Sequence, residues 1–306
     1  MRIGILYMGN ESSKIWGGGV ITHYLARAFN DLGHETWRAS AMEEGRLTLD
    51  HELDFLISEG VPASMIPKQI WRKSRRVVYW WLSELYYDEE QIAHAPFDGI
   101  ATNAVASVER LRRRGVLASP IELAASAALC DAEPESKYSS FCAYLGSYPH
   151  KNQEQLDVML GPATEFGLTI WGRGWEVSPF RNWHRGVLPL LDIGKLYRSV
   201  HVVLAMTEER QKRRGMINNR IFEALACGAV VVSDPHPAIA ASELGRFMHF
   251  SDTEEKVRES LQAVASNPSY RAQAKEAMTV IREKHTYHHR ALQFLDFFSE
   301  IADAKS

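Results

Sequence analysis

The sequence predicts an α/β protein of two domains, each a doubly wound parallel sheet, and three observations predict it. The 306 residues exceed the roughly 100–200 usual for one domain, so each half can bury a core of its own. Short apolar runs alternate with amphipathic, helix-compatible stretches, the order in which a parallel sheet with crossover helices is laid down. The alternation breaks over Leu123 to Ser140, where Asp131-Ala132-Glu133-Pro134-Glu135-Ser136 gains proline and charge, as an interdomain linker does. Domains of 1–136 and 137–306 follow.

The first half opens with an apolar strand, Ile3 to Tyr7, too short for the core of a signal peptide. Trp16-Gly17-Gly18-Gly19-Val20 reads as the turn after it. A helix over Ile21 to Leu32 follows, apolar at Ile21, Leu25, Ala28, Phe29 and Leu32 and closed by Gly33. Strands are expected at Glu35 to Arg38, Leu53 to Ser58, Arg76 to Trp80 and Gly99 to Thr102. The second half repeats the rhythm from Phe141 to Gly146 through Leu168 to Trp171, His201 to Ala205, Ala229 to Ser233 and Phe247 to Phe250. Glu254 to Ala265, Ser269 to Lys284 and Tyr287 to Ile301 read as helices, with Asn267-Pro268 between the first two.

Composition narrows the function classes. Hydrophobic residues at 45% and charged residues at 24% exclude extensive disorder. A net charge of −3 excludes a chain that attracts nucleic acid through its overall charge. Cys130, Cys142 and Cys227 are too few and too widely spaced for a disulfide framework or a zinc site, so a reducing cytoplasm is expected. No run approaches the ~20 apolar residues of a membrane-spanning helix.

Four segments carry chemistry. The glycines Gly17, Gly18 and Gly19 lie between the first strand and first helix, where the backbone can approach a sugar or phosphate. Their spacing is not that of a dinucleotide fingerprint. Gly146-Ser147-Tyr148-Pro149-His150-Lys151-Asn152 sets Lys151 at the start of a helix, where a diphosphate is stabilised. In Trp171-Gly172-Arg173-Gly174-Trp175, two glycines between aromatic residues end a strand; the tryptophans serve either the core edge or a nucleotide base. Asn218-Asn219-Arg220-Ile221-Phe222-Glu223-Ala224-Leu225-Ala226-Cys227-Gly228 is a capped helix that adds Arg220 to the N–H groups of its first turn and buries Glu223 one turn on, in reach of ribose hydroxyls.

The run from Arg220 to Asp234 resembles the donor-site helix of glycosyltransferases built from two Rossmann-like domains facing across a cleft, the GT-B fold, in the broad group 1 of these enzymes. His285-Thr286-Tyr287-His288-His289-Arg290 resembles the ending of their spore-maturation (CgeB-like) branch. The resemblance covers nearly all of the second half and, in the first, only the glycine loop. It implies a nucleoside-diphosphate sugar as donor, UDP-sugar above all, with no further cofactor and no metal. Donor contacts are then expected from Gly18, Gly19, Lys151, Gly172, Arg173, Asn218, Asn219, Arg220 and Glu223. Glu223 corresponds to the second glutamate of the family's paired-glutamate motif, whose first member falls on Gly215 here. Ser147 replaces an arginine often found beside Lys151. Retention of configuration is the expected outcome, and the last helix is expected to cross back to the first domain, giving Tyr287 and Arg290 a structural role. The clustered histidines 285, 288 and 289 share no helix face, which argues against a metal.

The first domain is left with the acceptor, a saccharide, a small molecule or DNA. Glu84, beyond the strand ending in Trp80-Trp81, and His23, after the glycine loop, are the catalytic candidates. Basic runs at Arg72–Arg76, Arg110–Arg114 and Lys212–Arg214 suit a polyanion if they converge. Phage-type glycosylation of hydroxymethylated DNA bases is therefore the alternative reading, beside a sugar-nucleotide epimerase or a binding module of the same fold.

Overall fold

A computed structural model describes residues 1–9, 17–43, 48–148 and 152–304. The chain divides into two compact units. One comprises Met1–Leu123, Arg213–Ile217 and the chain from Tyr287 onward; the other comprises Ala124–Lys212 and Asn218–Thr286.

The first unit is a six-stranded sheet, β1 (Arg2–Tyr7), β2 (Glu35–Ser40), β3 (Leu53–Glu59), β4 (Ser74–Trp81), β5 (Gly99–Thr102) and β6 (Ala118–Pro120), in the order β2-β1-β3-β4-β5-β6. Every pairing is parallel. The helices between the strands are α1 (Gly17–Asp31), α2 (Lys68–Lys73), α3 (Glu89–Ala93) and α4 (Val105–Arg113). Near-continuous burial along Val77 to Trp81 and Leu53 to Ile57 is what a parallel sheet covered on both faces requires. β6 was not expected: it has three residues and ends on a proline, which an edge strand tolerates.

The glycine segment differs from its expected form. Gly17, Gly18 and Gly19 are the first turn of α1 itself, not a turn preceding it, and neither Gly18 nor Gly19 takes a positive φ. Close approach explains Gly18: a β-carbon there would stand 2.5 Å from Oε2 of Glu59 and 3.2 Å from the Met8 carbonyl. Gly33 does take φ 82° after the helix, as expected of a C-terminal glycine.

The second unit holds α5 (Ala127–Cys130), β7 (Ser140–Leu145), α6 (Gln153–Leu160), β8 (Leu168–Trp171), α7 (Ile193–Ser199), β9 (Val200–Ala205), α8 (Glu209–Arg214), α9 (Asn219–Ala226), β10 (Val230–Ser233), α10 (Pro237–Ala240), β11 (Met248–Phe250), α11 (Glu254–Ser266) and α12 (Ser269–Lys284). Only the last residues of α8 fall with the first unit. Its sheet runs β11-β10-β9-β7-β8, again all parallel. Tyr144, Leu156, Ile170, Trp175, Leu204 and Val232 meet in its core.

The division departs from boundaries of 1–136 and 137–306 at both ends. Within the expected linker, Ser126 caps α5, which buries Leu129 and Cys130, so residues 124–136 pack with the second unit. The last helix, α13 (Tyr287–Ala304), belongs with the first. Phe298 stacks on Phe55 with ring centroids 4.0 Å apart, and Phe294 meets Phe29 and the edge of Trp80. Arg290, almost fully buried, donates from Nε and Nη2 to the Leu123 carbonyl at 3.1 and 3.0 Å, and Tyr287 stacks on Tyr24.

Candidate functional site

In the second sheet the chain passes from β7 outward to β8, then returns to β9 on the other side of β7. The loops leaving the carboxyl ends of β7 and β9 therefore diverge, which is where open α/β sheets bind ligands. Gly146 follows β7; Met206 and Thr207 follow β9. The N-terminus of α9 comes to the same place.

Arg220, in the first turn of α9, places its guanidinium 4.9 Å above the Tyr144 ring and donates to the Met206 carbonyl at 3.4 Å. Its Nη2 lies 3.0 Å from where a β-carbon on Gly146 would stand, so the glycine makes room for the cation. The Met206 bond is loose and the planar group is held by the ring with the Tyr144 and Tyr197 hydroxyls close by, an arrangement whose remaining donors suit an anion. Asn218 is the N-cap residue, yet its side chain does not cap: Nδ2 donates to the Thr207 hydroxyl at 3.0 Å, and Oδ1 is buried without a partner. Asn219 donates from Nδ2 to Oε1 of Glu223 at 2.9 Å.

Glu223 is 2% exposed. Burial pushes its carboxyl up to about 7, against the opposing pull of the Asn219 hydrogen bond and the Arg220 charge. Such a group costs several kcal/mol if left ionised and half-paired, so its presence in an apolar helix is a reason to look for a ligand. At the neighbouring strand end, Gly172 takes φ 141°, and a β-carbon there would collide with the Gly146 carbonyl. Arg173 beside it is exposed. Trp175 is fully buried, donating from Nε1 to the Gly146 carbonyl at 2.7 Å, so it is a core residue that fixes the β7 loop. Trp171 is half-buried against Tyr138, with an indole nitrogen that has no partner. Lys151 lies outside the described residues.

The first unit holds the remaining candidates. His23 is exposed on α1, edge-on to Tyr24. Glu84 is committed to Arg214, whose Nε donates to it at 2.6 Å, while Arg214 Nη1 reaches Glu89 at 3.1 Å. The basic runs are engaged in part: Arg110 pairs with Glu89 at 2.6 Å, Arg114 with Glu90 at 2.6 Å, and Lys212 with Asp234 at 2.6 Å, while Arg72, Arg113 and Arg213 are exposed. His285 contacts Glu243 at 3.0 Å, and among the described residues no group of three or more metal-ligating side chains comes together. Sequence reasoning passed over Glu59, the buried carboxyl against Gly18. The available signal was an acidic residue closing the apolar strand Leu53-Asp54-Phe55-Leu56-Ile57-Ser58 just before Gly60.

Residues 154–296 match the family model described as glycosyl transferase-like. That stretch, just under half of the chain, is glycosyl transferase-like. It contains α9 and the β9 end of the switch point, while β7 and Gly146 lie before it, so the segment that carried the sequence resemblance lies inside the matched region. Sugar transfer is the activity class it assigns. No curated protein sequence matches the chain.

Solved structures match over nearly the whole length. A sucrose-phosphate synthase from Thermosynechococcus elongatus aligns with TM-score 0.70 at 10% identity, covering 99% of this chain and 100% of its own. An alpha-glucosyltransferase in complex with UDP and a 13-mer DNA containing a HMU base aligns with TM-score 0.68 at 12% identity, over 98% and 99%. AviGT4, a glycosyltransferase involved in avilamycin A biosynthesis, aligns with TM-score 0.65 at 14% identity, over 99% and 98%. At such identities the likeness is one of fold, the two parallel α/β units of GT-B proteins. No helix among the described residues is long and apolar enough to cross a membrane.

Proposed function

We propose that the second unit binds a uridine diphosphate sugar at the β7–β9 switch point and that the chain transfers the sugar to an acceptor hydroxyl. The observation that carries this is Arg220, held over Tyr144 beside Gly146 at the N-terminus of α9, with the buried Glu223 one turn along. The diphosphate meets Arg220 and the unpaired N–H groups of the first turn; these stabilise the charge that builds on the leaving group. Glu223 accepts hydrogen bonds from ribose hydroxyls. Turning the Asn218 amide keeps its bond to Thr207, with the hydroxyl donating, and presents the amide NH2 to the anion in place of an orphaned oxygen. Preference for uridine is supported by the alpha-glucosyltransferase neighbours, one in complex with UDP-glucose and DNA and one with UDP.

No further cofactor or metal enters this reading, Arg220 and the helix terminus supplying the positive charge. Retention of configuration rests on Glu223 alone, since Gly215 stands at the motif's other position; the anomeric configuration of the product decides it. The ending His285 to Arg290 supports the spore-maturation branch, and buried, unpaired Cys130, Cys142 and Cys227 support a reducing, cytoplasmic setting.

For the acceptor, the ion pairs of the basic runs favour a saccharide or small molecule over DNA. Calorimetric titration with UDP tests the donor site. The wild-type chain is expected to bind, and Glu223→Ala to bind at least ten-fold more weakly with its fold intact by circular dichroism. Unchanged binding in that variant removes the ribose assignment.

A further inference from the structure

The first sheet has its own switch point. The chain leaves β1 for β2 on one side and returns to β3 on the other, so the loops after Tyr7 and Glu59 diverge, and these two residues are register partners. α1, fifteen residues long, begins against this point. Glu59 is 8% exposed, and its Oε2 lies against the Cα of Gly18, 2.5 Å from where a β-carbon would stand. Among the described residues no hydrogen bond or ion pair reaches the carboxyl, and burial alone pushes it up to about 7. Two unsatisfied sets therefore meet: an acceptor-rich carboxylate and the first-turn N–H groups of α1, which have no partners within the helix. An anion satisfies the helix but is repelled by Glu59; a cation does the reverse. A hydroxyl, which donates and accepts at once, satisfies both.

We propose that Glu59 and the first turn of α1 at Gly18 form a sugar-hydroxyl site in the first unit, the carboxylate accepting from a hydroxyl whose oxygen takes an N–H of α1. The assignment of that hydroxyl to the acceptor sugar rests on the transferase reading; the binding site itself does not. The titratable and charged groups around Glu59 are the Tyr7 phenol on β1, the Tyr79 phenol on β4, whose ionisation is opposed by burial first and by Glu59 second, and Arg38 on β2. The Arg38 guanidinium lies 4.5 Å over Tyr7 and donates to the Gly19 carbonyl at 3.1 Å. Arg38 is thus anchored to Gly19, Thr22 and the Tyr7 ring and makes no ion pair with Glu59, which leaves the carboxyl to a ligand.

The test uses the full chain carrying glutamate labelled with carbon-13 at the carboxyl, with Glu59→Gln identifying the Glu59 signal. Glu59 is expected to titrate near pH 7 and, in the presence of D-glucose, D-galactose or D-mannose, to shift and titrate at lower pH, because the ligand favours the ionised form. Inorganic phosphate at equal concentration is expected to leave it unmoved. No response to any of the three hexoses, or an equal response to phosphate, overturns the site. UDP binding, measured in the same samples, is expected to be unchanged in Glu59→Gln. Loss of UDP binding in the wild-type chain would instead overturn the donor reading of the second unit while leaving the hexose response to stand alone. With UDP-glucose as donor, Glu59→Gln is expected to raise the hexose KM at least ten-fold at pH 8 with UDP affinity constant; an unchanged KM overturns the acceptor role.

Discussion

Two buried glutamates, one in each unit, make stability depend on pH above the ordinary carboxylate range. The Glu223 and Glu59 carboxyls are pushed from 4.5 up to about 7 by burial. Between those values the folded chain holds protons that the unfolded chain has released, so stability falls as pH rises through that window. At 1.36 kcal/mol per unit of difference, each group contributes at most about 3 kcal/mol of that fall. Glu223→Gln removes its share: melting temperatures are expected to match wild type at pH 4, below the unfolded value, and to exceed it at pH 8. Parallel curves for the two proteins would show that Glu223 titrates alike in the folded and unfolded chain. Gly18 gives a second expectation. A methyl at Gly18→Ala meets Glu59 at 2.5 Å, and the strain is expected to cost about 1–3 kcal/mol despite the better helix propensity of alanine. Adding Glu59→Ala removes the obstacle, so denaturant titration of the double variant is expected to recover most of that loss. Additive effects would mean that the two residues do not press on one another.

At the level of elements, strands and long helices were legible in the sequence because burial on both faces leaves an unbroken apolar run, as at Val77 to Trp81 and Val230 to Val232. What escaped depends on contacts distant in sequence. β6 is a three-residue edge strand with no pattern of its own, and α5 looks like linker until Ser126 caps it and Leu129 is buried. Arg220 and Glu223 could be read together as candidates because they sit one turn apart on one helix; Glu59 could not, since the surface it packs against is 41 residues away at Gly18. The last helix was readable in both respects, as an amphipathic segment and, through the resemblance, as one returning to the first unit. Its attachment is a wedge of aromatic rings, so Phe298→Ala opens a cavity between Phe55 and Phe29 and is expected to cost about 3–5 kcal/mol. Hydrogen exchange should then show α13 and α1 losing protection together, while α9 keeps its own. Uniform loss through both units would mean that the chain unfolds as one body.

For the whole molecule the open question is the class of acceptor, and charge decides it better than fold. The neighbours include an alpha-glucosyltransferase in complex with DNA and a sucrose-phosphate synthase at nearly equal TM-scores, so architecture does not separate nucleic acid from small acceptors. A DNA-binding face needs several cations free to displace counterions, because each phosphate neutralised adds about 0.9 to the salt slope of the affinity. Here Arg110, Arg114, Lys212 and Arg214 already pair with Glu89, Glu90, Asp234 and Glu84, Lys73 donates to the Leu49 carbonyl, and Arg75 lies within 3.6 Å of both Glu52 and Asp54. Releasing Arg75, Arg110, Arg114, Lys212 or Arg214 to a phosphate exchanges one ion pair for another, with little gain, and the net charge of −3 adds a weak repulsion. A fluorescent duplex carrying hydroxymethylated bases, titrated with the chain at physiological salt, is accordingly expected to bind no more tightly than about 10⁻⁴ M, the weak end of non-specific association, and to receive no sugar from UDP-glucose. Tighter binding whose logarithm falls with a slope of about five or more against the logarithm of salt would mean that those ion pairs open to phosphate, and would return DNA as the acceptor.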